Sequence, residues 1–347
     1  MPGLLAAPDK FRGTVTARQA AGAVARGAFP LGWTVRQIPL ADGGEGLLDS
    51  LGALGGERST VEVQGPLGRP VPAEWLRIGE VAVVEMAQAS GLALVGGAEG
   101  NDALVASTRG TGQLVVAAAR SLAATRRVGA GTVVVGLGGS ATTDGGLGAL
   151  SAIEEAGGLG GVGLVGACDV DVGFVEAAAR FGPQKGADDA AVTRLSDRLE
   201  RVAQEYEARY GTDVRSVPGA GAAGGLGGAI VALGGRLRSG YSVVAELVGF
   251  GDALRASQLV VTGEGAFDTT SLLGKVVGSV LRDAAAAGVP AVVVAGRVTA
   301  EAAASATASG ALVVSLTERF GLERAMGDTA ACIEQAVAEC LGSGVLG

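Results

Sequence analysis

Apolar residues in this chain come in short runs separated by polar or periodic stretches, and the rhythm is clearest at its two ends. Residues 3–7 form a brief apolar run closed by Pro8-Asp9, the pattern of a buried strand. Thr14 or Thr16 then caps a helix through about residue 28, whose Ala and Val positions supply one buried face. Residues 35–40 read as a second strand ending at Asp42, and 47–54 as a helix stopped by Gly55-Gly56. The C-terminal third repeats this alternation. Strands are predicted at 258–262, 291–295 and 311–316, and helices at 275–287, 299–309 and 327–341. Strands alternating with helices imply a parallel sheet joined by right-handed crossovers.

Two strands at the start and three at the end make the five of a flavodoxin-like sheet. The expected fold class is therefore α/β, with a flavodoxin-like parallel-sheet domain (residues 1–60 plus 241–347) interrupted by a second, inserted α/β domain (61–240). The active site is expected in the cleft between them. In a 2-1-3-4-5 strand order, the first and third strands meet at the topological switch point, where ligands bind outside the carboxyl ends of strands. Asp9-Lys10 would then lie beside Gly263-Glu264-Gly265. Within the insertion, 81–86 and 132–136 read as strands, and 111–125, 147–155, 192–210 and 225–233 as helices.

Composition narrows the chemistry. The 347 residues are 48% apolar but only 3% aromatic, so the core rests on Ala, Val and Leu. Sixty-one glycines without a Gly-X-Y period exclude collagen. A net charge of −8 with no basic stripe argues against a nucleic-acid partner. There is no histidine, which removes Ser-His-Asp and Cys-His catalysis and His-based zinc sites. A general base must be Asp, Glu or Lys. Cys168, Cys332 and Cys340 lack metal-ligand spacing and read as buried thiols of a reducing compartment. No membrane helix or leader is recognised, so a cytoplasmic protein is expected, monomer or homodimer.

Four segments combine glycine with an acid, a lysine or a hydroxyl: Asp9-Lys10, Asp42-Gly43-Gly44-Glu45-Gly46, Gly138-Gly139-Ser140-Ala141-Thr142-Thr143-Asp144 and Gly263-Glu264-Gly265…Asp268. Glycine lets backbone N–H groups approach an anion, and carboxylates hold Mg²⁺ or take a proton. Together they point to a polyanion and a metal, the ingredients of phosphoryl transfer. Lys185 in a Gly-Pro-Gln-Lys-Gly turn and Lys275 are candidate phosphate contacts, and Gly219–Gly225 a second amide cradle. Gly136-Leu137-Gly138-Gly139-Ser140-Ala141 also satisfies the weakest dinucleotide fingerprint, with Asp169 as the ribose acid, which leaves a nicotinamide oxidoreductase open as an alternative. A two-domain binding protein without catalysis is another. No Walker lysine motif is present, so any kinase reading needs another fold.

The chain resembles the glycerate kinase family of the bacterial glycerate 2-kinase type. The resemblance rests on Ala7-Pro8-Asp9-Lys10-Phe11-Arg12-Gly13-Thr14, Asp42-Gly43-Gly44-Glu45-Gly46, Gly65-Pro66-Leu67-Gly68, and Glu85-Met86-Ala87-Gln88-Ala89-Ser90. It continues through Arg109-Gly110-Thr111-Gly112, Gly138–Thr142, Cys168-Asp169-Val170, Phe181–Gly186, Gly219–Gly225 and Thr262–Asp268 with Gly274-Lys275. Arg12 stands where the family usually has lysine, and the stretch from Gly146 to Cys168 looks abridged. The resemblance implies transfer of the ATP γ-phosphoryl group to D-glycerate with Mg²⁺, at the 2-hydroxyl or alternatively the 3-hydroxyl. Asp42 or Asp268 would take the hydroxyl proton, and Glu264 with a nearby acid such as Asp169 would hold the metal. Lys10, Arg12 and Lys185 would neutralise phosphate, with Asp9 and Lys275 beside them. Gly43, Gly44, Gly139, Ser140, Ala141, Gly221 and Gly224 would line the anion site, and Arg109 or Ser90 would meet the glycerate carboxylate.

Overall fold

The computed structural model describes residues 1–41, 46–52, 55–124 and 131–343. In chain order its strands are β1 (Gly3–Ala6), β2 (Thr34–Gln37), β3 (Glu57–Gln64), β4 (Pro70–Ile78), β5 (Val81–Glu85), β6 (Thr132–Gly136), β7 (Gly163–Ala167), β8 (Arg236–Arg238), β9 (Leu259–Phe267), β10 (Ala291–Val298) and β11 (Leu312–Ser315). The chain divides into two compact units, Met1–Asp42 with Tyr241–Gly347, and Gly43–Gly240.

The first unit holds a five-stranded sheet in the order β11-β10-β9-β1-β2, parallel throughout. Counted within the unit, this is the expected 2-1-3-4-5 arrangement. Leu4, Leu5 and Ala6 of β1 are all buried, so helices must cover both faces and the strand reads as a continuous apolar run. Thr16 caps the helix Ala17–Ala28 through a reciprocal capping box with Gln19. That helix packs on Thr329–Gly342 so closely that a Cβ on Gly27 would lie 2.3 Å from the Glu334 carbonyl oxygen. Helix Val276–Ala287 ends at Gly288 in the left-handed region (φ 68°).

Two differences from the sequence reading bear on the site. Strand β9 does not stop at Thr262: it stays paired with β10 through Phe267, so Gly263-Glu264-Gly265 is extended strand rather than loop. A Cβ on Gly263 would sit 1.9 Å from the Val294 carbonyl oxygen, so glycine is what permits this pairing. Second, the described residues of 43–60 pack with the second unit. The Leu48 N–H donates to Glu85, and β3 pairs with β4.

The second unit contains a six-stranded sheet, β3-β4-β5-β6-β7-β8. β3, β4 and β5 are antiparallel neighbours, and β5 to β8 run parallel. Helices Arg109–Ala123, Leu147–Glu155, Asp189–Tyr210 and Ala222–Ala232 accompany it. Phe174 and Tyr206 are fully buried and meet edge to face, and Phe174 fills the space beside Gly228, where a Cβ would approach to 2.4 Å. Among the described residues no helix is long and apolar enough to cross a membrane.

Candidate functional site

In the first unit, parallel pairing of β1 with β9 brings two segments some 250 residues apart into contact. The Asp9 N–H donates to the Gly263 carbonyl at 2.8 Å, and the Thr262 hydroxyl donates to the Ala7 carbonyl at 2.8 Å. Gly265 lies against Phe11 and Arg12: a Cβ there would be 3.2 Å from the Arg12 nitrogen. Asp9, Lys10 and Arg12 thus gather just past the carboxyl end of β1, alongside Glu264 within β9, at the switch point. Asp9 is 9% exposed, and its Oδ1 accepts the Lys10 N–H at 2.7 Å.

Asp268 follows directly on β9. Its Oδ1 accepts the Thr270 N–H at 2.8 Å, the Thr270 hydroxyl at 2.6 Å and the Ser271 N–H at 3.2 Å. Led by the Thr270 hydroxyl, these bonds hold its carboxyl below the usual range, so it is ionised at neutral pH. Lys275 Nζ reaches the same Thr270 hydroxyl at 2.8 Å, linking Asp268, Thr270 and Lys275 in one chain. Asp42, Gly43 and Gly44 lie outside the described residues. What anchors the chain just after them is Glu85, a residue quoted for the family resemblance but not chosen as a site residue. Its Oε1 accepts the Leu48 N–H at 2.8 Å, and burial pushes its carboxyl up.

A second cluster lies within the inserted unit, at the carboxyl ends of β5 and β6. The chain from Leu137 to Gly146 is pinned on several sides: the Ala141 N–H donates to the Ser90 carbonyl at 2.9 Å, Leu92 N–H donates to Gly139 at 2.9 Å, and Asn101 Nδ2 reaches the Ala141 carbonyl at 3.0 Å. Asp144 accepts from the Thr108 N–H (2.8 Å), the Thr108 hydroxyl (2.9 Å), and the Gly146 and Gly148 amides. Beneath the loop, Lys185 Nζ donates to the Thr142 carbonyl at 2.6 Å. A cavity of about 390 Å³ opens here, bordered by Gly138, Gly139, Ser140, Lys185 and Ala223 among others. Its size suits a small ligand.

Several sequence-chosen residues have other employment. Ser90 is fully buried, and its hydroxyl accepts from that of Thr111 at 2.8 Å. Arg109 forms a two-pronged ion pair with Glu155, whose carboxylate takes the fork a glycerate carboxylate would need. The Ala141 amide is spent on Ser90, leaving Gly139 and Ser140 on the cavity wall. Gly221 and Gly224 are required by close packing: added Cβ atoms would lie 2.3 Å from Gly173 O and 2.0 Å from Thr142 O. Asp169 Oδ1 accepts the Gly240 N–H at 3.0 Å, and it stands on a different unit from Glu264. The dinucleotide reading loses its support, because that fingerprint must open a helix and the next helix starts only at Leu147.

Comparison with known proteins finds relatives over nearly the whole chain. The model of the "Glycerate kinase family" matches residues 4–156 and 154–342, its two segments meeting inside the stretch that reads as abridged. A protein named glycerate kinase from Halalkalibacterium halodurans is 40% identical over 331 residues, covering 84% of this chain and 85% of its own. The glycerate 2-kinase of Escherichia coli K12 is 38% identical over 311 residues, covering 79% of each chain. A Salmonella typhimurium LT2 crystal structure assigned as glycerate kinase 2 superposes with a TM-score of 0.80 at 28% identity, covering 99% of this chain and 98% of that one. With these matches running through both units and every motif segment described above, the chain belongs to the glycerate kinase family.

Proposed function

We propose that this protein transfers the γ-phosphoryl group of ATP to D-glycerate at the 2-hydroxyl. The observation that carries the reading is the Asp9–Gly263 junction, which gathers Asp9, Lys10, Arg12 and Glu264 at a switch point. Lys10 and Arg12 offer positive charge to the transferring phosphoryl group, and positioning with charge neutralisation supplies most of the rate in this chemistry. Asp268, ionised and held by the Thr270–Ser271 turn, is the described candidate to accept the hydroxyl proton. Asp42 is the other.

Among the described residues no three acid or cysteine side chains converge to form a metal cage. That suits Mg²⁺, which binds through one or two carboxylates plus waters and substrate phosphates. Asp9 and Glu264 are a carboxylate pair of this kind, and the ion they would hold supplies further charge neutralisation. Asp169, engaged with Gly240, is a weaker candidate. The free thiols Cys168, Cys332 and Cys340 fit a reducing, cytoplasmic setting. The test is ADP release with ATP, Mg²⁺ and D-glycerate, with L-glycerate and no-acceptor controls, and NMR of the product. Glycerate-dependent ADP with the phosphate on C2 supports the proposal; phosphate on C3 moves the acceptor; no ADP from folded protein overturns it.

A further inference from the structure

Lys185 is 2% exposed, in a unit whose core is apolar. Of its three N–H donors, one is accounted for by the Thr142 carbonyl. Among the described residues no carboxylate pairs with it. The charged group that acts on it is Asp144, whose oxygens are already taken by Thr108, Gly146 and Gly148. The other polar groups around it, Ser140, Gln184 and Asn101, are neutral. The Thr142 hydroxyl is fully buried and without a hydrogen-bond partner. Ala223, on the cavity wall, is the one non-glycine described residue in the left-handed region (φ 54°), and backbone strain of this kind concentrates at ligand sites.

We propose that this cavity is an anion subsite in which ligand binding is coupled to proton uptake by Lys185, whose buried amine meets a carboxylate or phosphate only when a ligand occupies the cavity. Burial, partly offset by the Asp144 charge, lowers the lysine to about 7, and an anion beside it opposes that penalty. The proton comes from solvent and no covalent bond changes. Which anion enters rests on the kinase reading; the linkage does not.

The experiment counts protons taken up at pH 8 in weakly buffered solution as a ligand is added. Sulfate, which does not titrate there, is the probe; D-glycerate alone and ADP alone are the two further arms. Sulfate should bind with uptake of more than about half a proton, since a group with pKa about 7 is mostly deprotonated at pH 8. Uptake with D-glycerate marks the subsite as the carboxylate's, and uptake with ADP as the phosphates'. Lys185→Met should abolish the uptake and weaken binding at least about tenfold, whereas Lys185→Arg should bind without uptake. Sulfate uptake in a protein that binds neither substrate would sustain the linkage and count against the kinase reading. Binding without uptake in the wild type, or the same uptake in folded Lys185→Met, overturns the proposal. Should Lys185→Met not fold, the wild-type count and Lys185→Arg decide it.

Discussion

An amine placed where Lys185 sits makes folding depend on pH in a defined direction. Its folded value, about 7, lies below that of the unfolded chain, so between pH 7 and the ordinary lysine value the unfolded state carries the extra proton. Stability therefore rises with pH through that window, by up to about 1.4 kcal/mol per pH unit from this one group, and the penalty is fully present below pH 7. Denaturant unfolding of wild type and Lys185→Met from pH 7 to 9 should show this slope in the wild type alone. At Asp268 two roles separate by substitution. Asp268→Asn keeps a capping oxygen and should lower kcat at least about a hundredfold with little change in melting; near-wild-type turnover would leave the base to Asp42. For Arg109, whose partner Glu155 is a half-exposed surface group, Arg109→Ala should cost no more than about 1 kcal/mol. Its KM for glycerate should stay within about twofold, and a tenfold rise would return Arg109 to the carboxylate.

Elements differ in how openly the sequence announces them. The buried parallel strands of the first unit are apolar runs and could be located from sequence within a few residues. β3 and β8 could not: Glu57–Gln64 is half exposed and largely polar, and Arg236–Arg238 is a short charged edge. The extension of β9 was hidden because Gly-Glu-Gly resembles a turn, and only the neighbouring β10 supplies the partners that make it strand. Glycines were legible as a class but not by purpose. Gly224 has φ 67° and no room for a Cβ against Thr142, whereas Gly288 has φ 68° and open space around it. Gly224→Ala should therefore destabilise the protein by at least about 2 kcal/mol and Gly288→Ala by about 1. Thermal melting of the two variants separates a packing requirement from a conformational one.

Across the whole molecule, the chain interrupts one α/β unit with another and returns to complete the first sheet. That arrangement was inferable because the strand count at the two ends adds to five; the boundary near residue 42 was not, since residues 46–60 carry no local sign of which sheet they join. Metal dependence belongs to this scale as well. The proposed Mg²⁺, bound through one or two carboxylates with waters and substrate phosphates, should matter to turnover and little to folding. EDTA should abolish ADP release, Mg²⁺ should restore it, and the melting temperature should move by less than about 2 °C.

What the sequence determined by itself is local or compositional. Alternating apolar runs and helical periods specify α/β layers, the lack of histidine confines proton transfer to carboxylates and lysine, and the ordered glycine–acid segments place the chain in its family. Which of those residues share a site was decided by tertiary structure. Asp9 meets Gly263 because β1 pairs with β9, and Arg109 is occupied because Glu155 stands at the end of a different helix. Lys185 has an altered proton affinity because an apolar core closes over it. Pairing and burial depend on contacts between distant segments, and neither hydrophobic period nor turn chemistry encodes them.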